Sequence, residues 1–103
     1  MAISDVQLKS GWYAVFDGNG KKTKDLPASS VGDLCGFGSD FIVFLKSGWF
    51  GVYAEDGKKI KDLPASSVGE FKNAAGNTIV FKNGNWIDTY DRSGKKLNSR
   101  PAN

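Results

Sequence analysis

The strongest constraint on this chain is an internal repeat with a period of 37 residues. Residues 8–44 align without a gap with residues 45–81, and 21 of the 37 aligned positions are identical. A third copy, residues 82–103, keeps the same spacing of its Trp, Gly, Lys-Lys and Pro-Ala positions. Such a period indicates a repeat architecture, in which each copy buries its apolar face against its neighbours.

The repeat divides the 103-residue chain into three similar units that form a single domain. A unit of about 28 residues has too little apolar surface to fold alone, so the units are expected to pack on one another. The predicted units span residues 1–28, 38–65 and 75–103, with connectors at 29–37 and 66–74.

Each unit predicts three short strands, which are clearest in the second copy. The first is the β-branched and aromatic run Phe41–Leu45, the second is Trp49–Tyr53, and the third is Lys59–Leu63 after the paired lysines. Gly-containing turns separate the runs, and a Pro ends the third strand because Pro cannot donate to a strand ladder. The second strand is apolar on both faces and is expected to lie inside its sheet.

These features predict an all-β fold of three antiparallel β-meanders. We expect the meanders to pack as a compact pseudo-threefold barrel or prism, or as a propeller-like body. Two readings of the connector 66–74 stay open, a short turn of helix and a fourth strand at Val68–Phe71.

Composition argues against catalysis. The chain has no His, so it lacks the commonest general base and metal ligand, and its single Cys, Cys35, can form neither an intrachain disulfide nor a thiolate metal cluster. We expect Cys35 to be a small, partly buried side chain. The sequence therefore predicts a protein that is not an enzyme and needs no cofactor or metal.

Charge and hydropathy bear on partners and compartment. The net charge is only +3, and its basic residues are mostly Lys, so nucleic acid is an unlikely partner. No apolar run approaches the roughly 20 residues that a membrane-spanning helix needs, and residues 1–10 do not resemble a signal peptide. We expect a cytoplasmic monomer or small homo-oligomer with no membrane contact, although a mature exported form would look the same.

Residues 82–97, with the sequence KNGNWIDTYDRSGKKL, resemble the WG-type β-repeat found in many bacterial proteins. In that repeat a Trp-containing hairpin is followed by a Pro-containing link and a further strand, which Val68–Phe71 and Asn77–Phe81 resemble. Where the family has Gly after Trp, this chain has Tyr13, Phe50 and Ile87. The resemblance implies a scaffold for interactions and transfers no catalytic residues.

The candidate ligand-binding residues are aromatic and acidic side chains that recur in register. Core packing between units is the expected role of the tryptophans, and the alternative is a set of aromatic platforms for sugars. Asp88 and Asn85 could add polar groups, although we expect Asp88 at an exposed end of its sheet. The candidates are Trp12, Trp49, Trp86, Asp25 and Asp62.

Binding of a protein partner is the function that the sequence favours most. The alternative is a carbohydrate-binding, lectin-like domain that uses the repeated Trp and Asp positions. A third reading uses the paired lysines 21–22, 58–59 and 95–96 as a basic rim for anionic polymers, whereas ordinary solvated turns are the simpler expectation.

Overall fold

A computed structural model describes residues 3–102, of which 66% lie in strands and 8% in helices. The all-β prediction is confirmed. The eleven strands are β1 (Ile3–Lys9), β2 (Trp12–Asp17), β3 (Lys22–Pro27), β4 (Asp33–Phe37), β5 (Phe41–Lys46), β6 (Trp49–Ala54), β7 (Lys59–Pro64), β8 (Glu70–Ala75), β9 (Thr78–Asn83), β10 (Trp86–Asp91) and β11 (Lys96–Pro101).

The strands form three antiparallel meanders. Sheet 1 has the order β1-β2-β3, sheet 2 the order β4-β5-β6-β7, and sheet 3 the order β8-β9-β10-β11. The Trp-bearing strands β2, β6 and β10 each lie inside their sheet, as predicted. Within the described residues no strand pairing joins these sheets into a closed barrel.

Each connector contains both of the predicted alternatives, a helical turn followed by a strand. A single helical turn, α1 (Ala28–Val31) or α2 (Ala65–Val68), leads into the first strand of the next sheet, β4 or β8. Gly32 ends α1 with a φ of 97°, and a Cβ atom there would lie 2.4 Å from the carbonyl oxygen of Leu45. Glycine is therefore required where the helical turn meets the neighbouring hairpin.

The hairpin before each Trp fixes where the indole lies. In the first two copies the turn residues Ser10-Gly11 and Ser47-Gly48 all have positive φ, which is the signature of a two-residue type I′ turn. Trp12 and Trp49 follow these turns directly, so each indole starts its strand at the end of a sheet.

Two apolar clusters hold the three sheets together, and they use the same positions of the repeat. Sheet 1 packs on sheet 2 through one set, and sheet 2 packs on sheet 3 through the same set moved by 37 residues. Equivalent pairs in the two clusters include Tyr13 and Phe50, Val15 and Val52, Leu26 and Leu63, Ile42 and Ile79, and Phe44 and Phe81.

The outward faces of the two terminal sheets carry polar residues at these same positions. Asp5 and Gln7 of sheet 1 stand where sheets 2 and 3 have the buried Ile and Phe residues. Thr89 and Arg100 of sheet 3 stand where the other sheets have buried Val and Leu. Polar outer faces are what terminal units of a repeat stack need, because no further sheet covers them.

Hydrogen bonds between sheets set their relative position. The Ile3 backbone N–H donates to the Ser39 carbonyl at 2.7 Å, and the Ser39 N–H donates to the Gly76 carbonyl at 2.9 Å. The Tyr13 hydroxyl accepts a bond from the Leu34 N–H at 3.1 Å, where an irregularity interrupts the pairing of β4. Since these groups are directional, they hold the sheets in register while the apolar clusters supply most of the attraction.

Replacing the shared core position by Ala gives a direct test of the packing. Phe44 and Phe81 are fully buried, so Phe44→Ala and Phe81→Ala should each lower the free energy of unfolding by about 3–5 kcal/mol. Gln7 occupies the equivalent position on the open face of sheet 1, and Gln7→Ala should change stability by less than about 0.5 kcal/mol. Urea unfolding measures all three, and similar losses at Gln7 and Phe44 would contradict this packing.

Candidate functional site

The three tryptophans are half-exposed, so the expectation that they pack between units is wrong. Trp12, Trp49 and Trp86 each leave 49% of their surface accessible. Their strands do bury the opposite face, because Tyr13 and Phe50, the residues after the first two tryptophans, are about 95% covered. In sheet 2 the neighbouring sheet covers the far end of the Trp-bearing face, where Tyr53 packs on Phe44, and leaves the hairpin end open. In sheet 1 the Trp-bearing face is the outward face, which no other sheet covers.

Each indole lines a cleft, and the clefts are built from equivalent positions. The first has a volume of about 400 Å³ and is flanked on the same face by strands β1 and β3. Ala14 forms its floor, opposite Asp25 on the next strand. Its lining residues are Lys9, Ser10, Trp12, Ala14, Lys22 and Asp25.

The second cleft has a volume of about 270 Å³ and gains a wall from the helical turn α1. Ser30 and Val31 of that turn face Trp49 across the cleft. The Lys46 ammonium donates to the carbonyls of Ser29 and Ser30 at 2.9 and 3.3 Å, which ties the wall to the hairpin. Its remaining lining residues are Ser47, Gly51, Tyr53, Lys59 and Asp62.

The third cleft, of about 390 Å³, takes its carboxylate from a different strand. Ser99 stands where the other copies have Asp25 and Asp62, and Asp88 stands opposite it on β10, where the others have Ala14 and Gly51. Asp88 is only 2% exposed and accepts a hydrogen bond from the Ser99 hydroxyl. The expectation that Asp88 lies at an exposed end of the sheet is therefore wrong, and the structure brings it into the site.

A lysine pairs with the carboxylate in all three clefts. The nitrogen–oxygen distances are 3.1 Å for Lys22–Asp25, 3.2 Å for Lys59–Asp62 and 3.8 Å for Lys96–Asp88. In the second cleft the hydrogen bond that Lys59 donates to the Asp62 carboxylate raises the pKa of Lys59, and the nearby Tyr53 raises it further. The ammonium thus stays charged, and a donor and an acceptor lie together beside each indole.

The structure brings all five predicted site residues into clefts and adds residues that the sequence reading missed. Asp25 and Asp62 lie beside Trp12 and Trp49 as predicted, whereas Asn85 is exposed in its turn and does not line the third cleft. The missed residues are Lys22, Lys59, Lys96 and Ser99. The sequence did contain a sign of the lysines. In the first two copies the second lysine of the Lys-Lys pair precedes the Asp by three residues, and the two side chains form an ion pair.

The Lys–carboxylate pairs argue against a basic rim that binds anionic polymers. Of each lysine pair, the second member has its charge offset by a carboxylate within 4 Å. Nearby turns also contain acidic groups, such as Asp91, whose pKa is lowered by hydrogen bonds from Ser93 and Lys95. The tips therefore present mixed charge, and a concentrated basic stripe is missing from the described part of the chain.

The remaining reactive groups form no catalytic constellation on residues 3–102. No group of three or more Cys, Asp or Glu side chains is placed there to hold a metal ion. Cys35 is half-buried, and burial and the Asp33 carboxylate both raise the pKa of its thiol. The absence of catalysis and of a cofactor stays a prediction.

Comparison with known proteins adds no family. The chain matches no known protein family, and no curated protein is similar to it in sequence. The resemblance to the WG-type repeat thus stays a prediction. As for membranes, none of the helical segments within residues 3–102 has the length and apolar character to span a bilayer.

The exposure of the indoles predicts how stability responds to their loss. Trp49→Ala should lower the free energy of unfolding by only about 1–2 kcal/mol, because half of the side chain already contacts water. Its neighbour Phe50 is 4% exposed and faces the core, so Phe50→Ala should cost about 3–5 kcal/mol. Urea unfolding of both variants checks this, and a larger loss at Trp49 than at Phe50 would place the indole in the core instead.

The thiol of Cys35 gives a prediction about pH. Since its pKa is raised in the folded chain, a smaller fraction is thiolate at any pH near the ordinary value for Cys. Alkylation by iodoacetamide should be slower in the native protein than in urea, and its midpoint should lie at higher pH. A native midpoint below that of the unfolded chain would show an activated thiol.

Proposed function

We propose that the protein is a non-catalytic carbohydrate-binding module. The observation that carries the proposal is the recurrence, in all three sheets, of a half-exposed indole beside a Lys–carboxylate pair. An indole offers a flat apolar surface to the C–H face of a sugar ring. The lysine can donate to ring hydroxyls, and the carboxylate can accept from them.

Stability does not account for these features. The exposed ion pairs of the first two clefts contribute about 0–1 kcal/mol each, and an indole that stays half in water forgoes much of its burial energy. A small apolar surface with a few converging polar groups is instead the usual composition of a small-molecule site. The cleft volumes of about 270 to 400 Å³ suit one ring-sized unit each.

Binding of a protein partner, which the sequence favoured first, is the second candidate. Two other large apolar side chains are exposed, Leu8 by 60% and Leu97 by 50%, and both could contact a partner. They lie on sheets 1 and 3, and singly exposed leucines are common on protein surfaces. The Trp clefts are therefore a stronger argument for carbohydrate binding than the two leucines are for protein binding.

We also infer a propeller-like arrangement, in which the three sheets follow one another as blades. This arrangement is supported by the two interfaces between successive sheets, which use the same positions of the repeat. The polar outer faces of sheets 1 and 3 support an open stack in a monomer or small oligomer. A cytoplasmic location remains part of the proposal. Mass measurement by light scattering tests the oligomeric state, and a large closed assembly would contradict the open stack.

A glycan array combined with Trp fluorescence tests the proposed function. Saccharides that bind should shift or quench the emission of the wild-type protein, because the three indoles are at the sites. The triple variant Trp12→Ala/Trp49→Ala/Trp86→Ala should lose array binding.

The matched control removes the other exposed apolar groups. Leu8→Ala/Leu97→Ala should keep full array binding if the clefts are the sites. A silent array with wild-type protein would reject carbohydrate binding. Capture of a stoichiometric protein complex that the leucine variant loses and the triple Trp variant retains would favour the second candidate.

A further inference from the structure

The third cleft keeps the chemistry of the other two through different residues. In the first two copies the carboxylate comes from the strand that follows the Trp-bearing strand, at Asp25 and Asp62. In the third copy that position is Ser99, and the carboxylate comes from its cross-strand partner Asp88. Lys96 lies within 4 Å of it, and the Ser99 hydroxyl, which donates to Asp88, lines the cleft together with Lys96 and the indole.

Copying of one sequence segment does not account for this third site. The string Lys24–Gly32 recurs unchanged at Lys61–Gly69, so the likeness of clefts one and two follows from duplication alone. The third copy has lost that string before Pro101 yet has a carboxylate in the same cleft. A cleft of this type is therefore present in all three sheets, even though the third one is built from different residues.

The three clefts are related to one another by the way in which each sheet packs on the next. The same apolar positions join sheet 1 to sheet 2 and sheet 2 to sheet 3, so each sheet stands to the next in an equivalent way. Backbone bonds from Ile3 to Ser39 and from Ser39 to Gly76 hold this packing at the sheet ends. Packed sheets are separated by about 10 Å, and the indoles occupy equivalent positions in three successive sheets, so they form a repeated array.

The charge of each cleft selects among polymers. In each cleft one lysine pairs with the carboxylate. Lys9 adds a second cation to the first cleft and Lys46 adds one to the second, where its ammonium donates to two backbone carbonyls. An anionic chain would meet a carboxylate at every site. Uncharged sugar units with free hydroxyls meet a donor, an acceptor and a stacking surface instead.

We propose that the three Trp clefts act together as an array that binds successive parts of one neutral polysaccharide. This inference rests on the proposed carbohydrate-binding function. Each open cleft covers a single unit and binds weakly, and linkage of three such sites on one body raises the affinity for a repeating chain by about 10²-fold to 10⁴-fold over one unit.

Titration calorimetry with matched ligands tests the array. The probes are β-glucan, mannan, xylan and chitin oligomers, each with its own monosaccharide, and heparin as the anionic polymer. The expected result is that one neutral polymer binds at least about a hundredfold more tightly than its monosaccharide, and heparin binds more weakly. Each of Trp12→Ala, Trp49→Ala and Trp86→Ala should lower the polymer affinity by about tenfold.

The relocated carboxylate provides a sharper variant pair. Asp88→Gly should lower polymer affinity as much as Trp86→Ala does, because the third cleft loses the carboxylate that holds Ser99 and Lys96 in place. The double variant Asp88→Gly/Ser99→Asp reproduces the residues of the second cleft and should restore binding. Urea unfolding of both variants checks that each is folded, and the comparison between them separates binding from stability.

Distinct results overturn the two proposals separately. Monosaccharide binding at three independent sites with no gain for the polymer would overturn the array and leave carbohydrate binding standing. Loss of all binding on removal of one indole, with no effect of the other two, would also overturn the array. Absence of binding to every saccharide would overturn the proposed function, and the array with it.

Discussion

Face-to-face packing between successive sheets is the constraint on which the rest of this structure depends. No single meander of three or four strands covers its own apolar face, so each sheet needs a neighbour. The same positions meet at both interfaces, with Tyr13 against Phe44 at a ring distance of 5.0 Å and Phe50 against Phe81 at 5.0 Å. On the outward faces of sheets 1 and 3, polar residues such as Gln7 and Arg100 stand at the positions that are apolar in the two interfaces.

That packing also bounds the clefts of sheets 2 and 3. On their Trp-bearing faces the contacts between sheets concentrate at the end where Tyr53 and Tyr90 lie, and the hairpin that carries the indole stays open. The Trp-bearing face of sheet 1 is its outward face, so Trp12 is open to water without any neighbouring sheet. Core and indole cleft thus occupy opposite ends of one strand face in sheets 2 and 3.

The repeat, the strands and the turns were readable from the sequence because they depend on local signals. Trp49–Tyr53 alternates as a strand does, and Gly57 marks a turn by its need for positive φ. Exposure of the indoles was not readable, since alternation tells which face a residue is on and not how far the next sheet extends over that face. Asp88 was misjudged for a related reason, because its partner Ser99 is known only from the strand register.

The relation between Asp88 and Ser99 also separates two explanations of the repeated clefts. If the clefts were only a by-product of a duplicated scaffold, the third copy would be expected to lose its carboxylate where Ser99 stands in place of Asp25 and Asp62. Instead the carboxylate lies on the opposite strand, 98% covered and still paired with the lysine of its own copy. Burying a charge there costs stability unless hydrogen bonds and a counter-ion compensate it, and Ser99 and Lys96 supply both. The third copy therefore holds a carboxylate at its cleft through contacts of its own, which supports the proposed binding role.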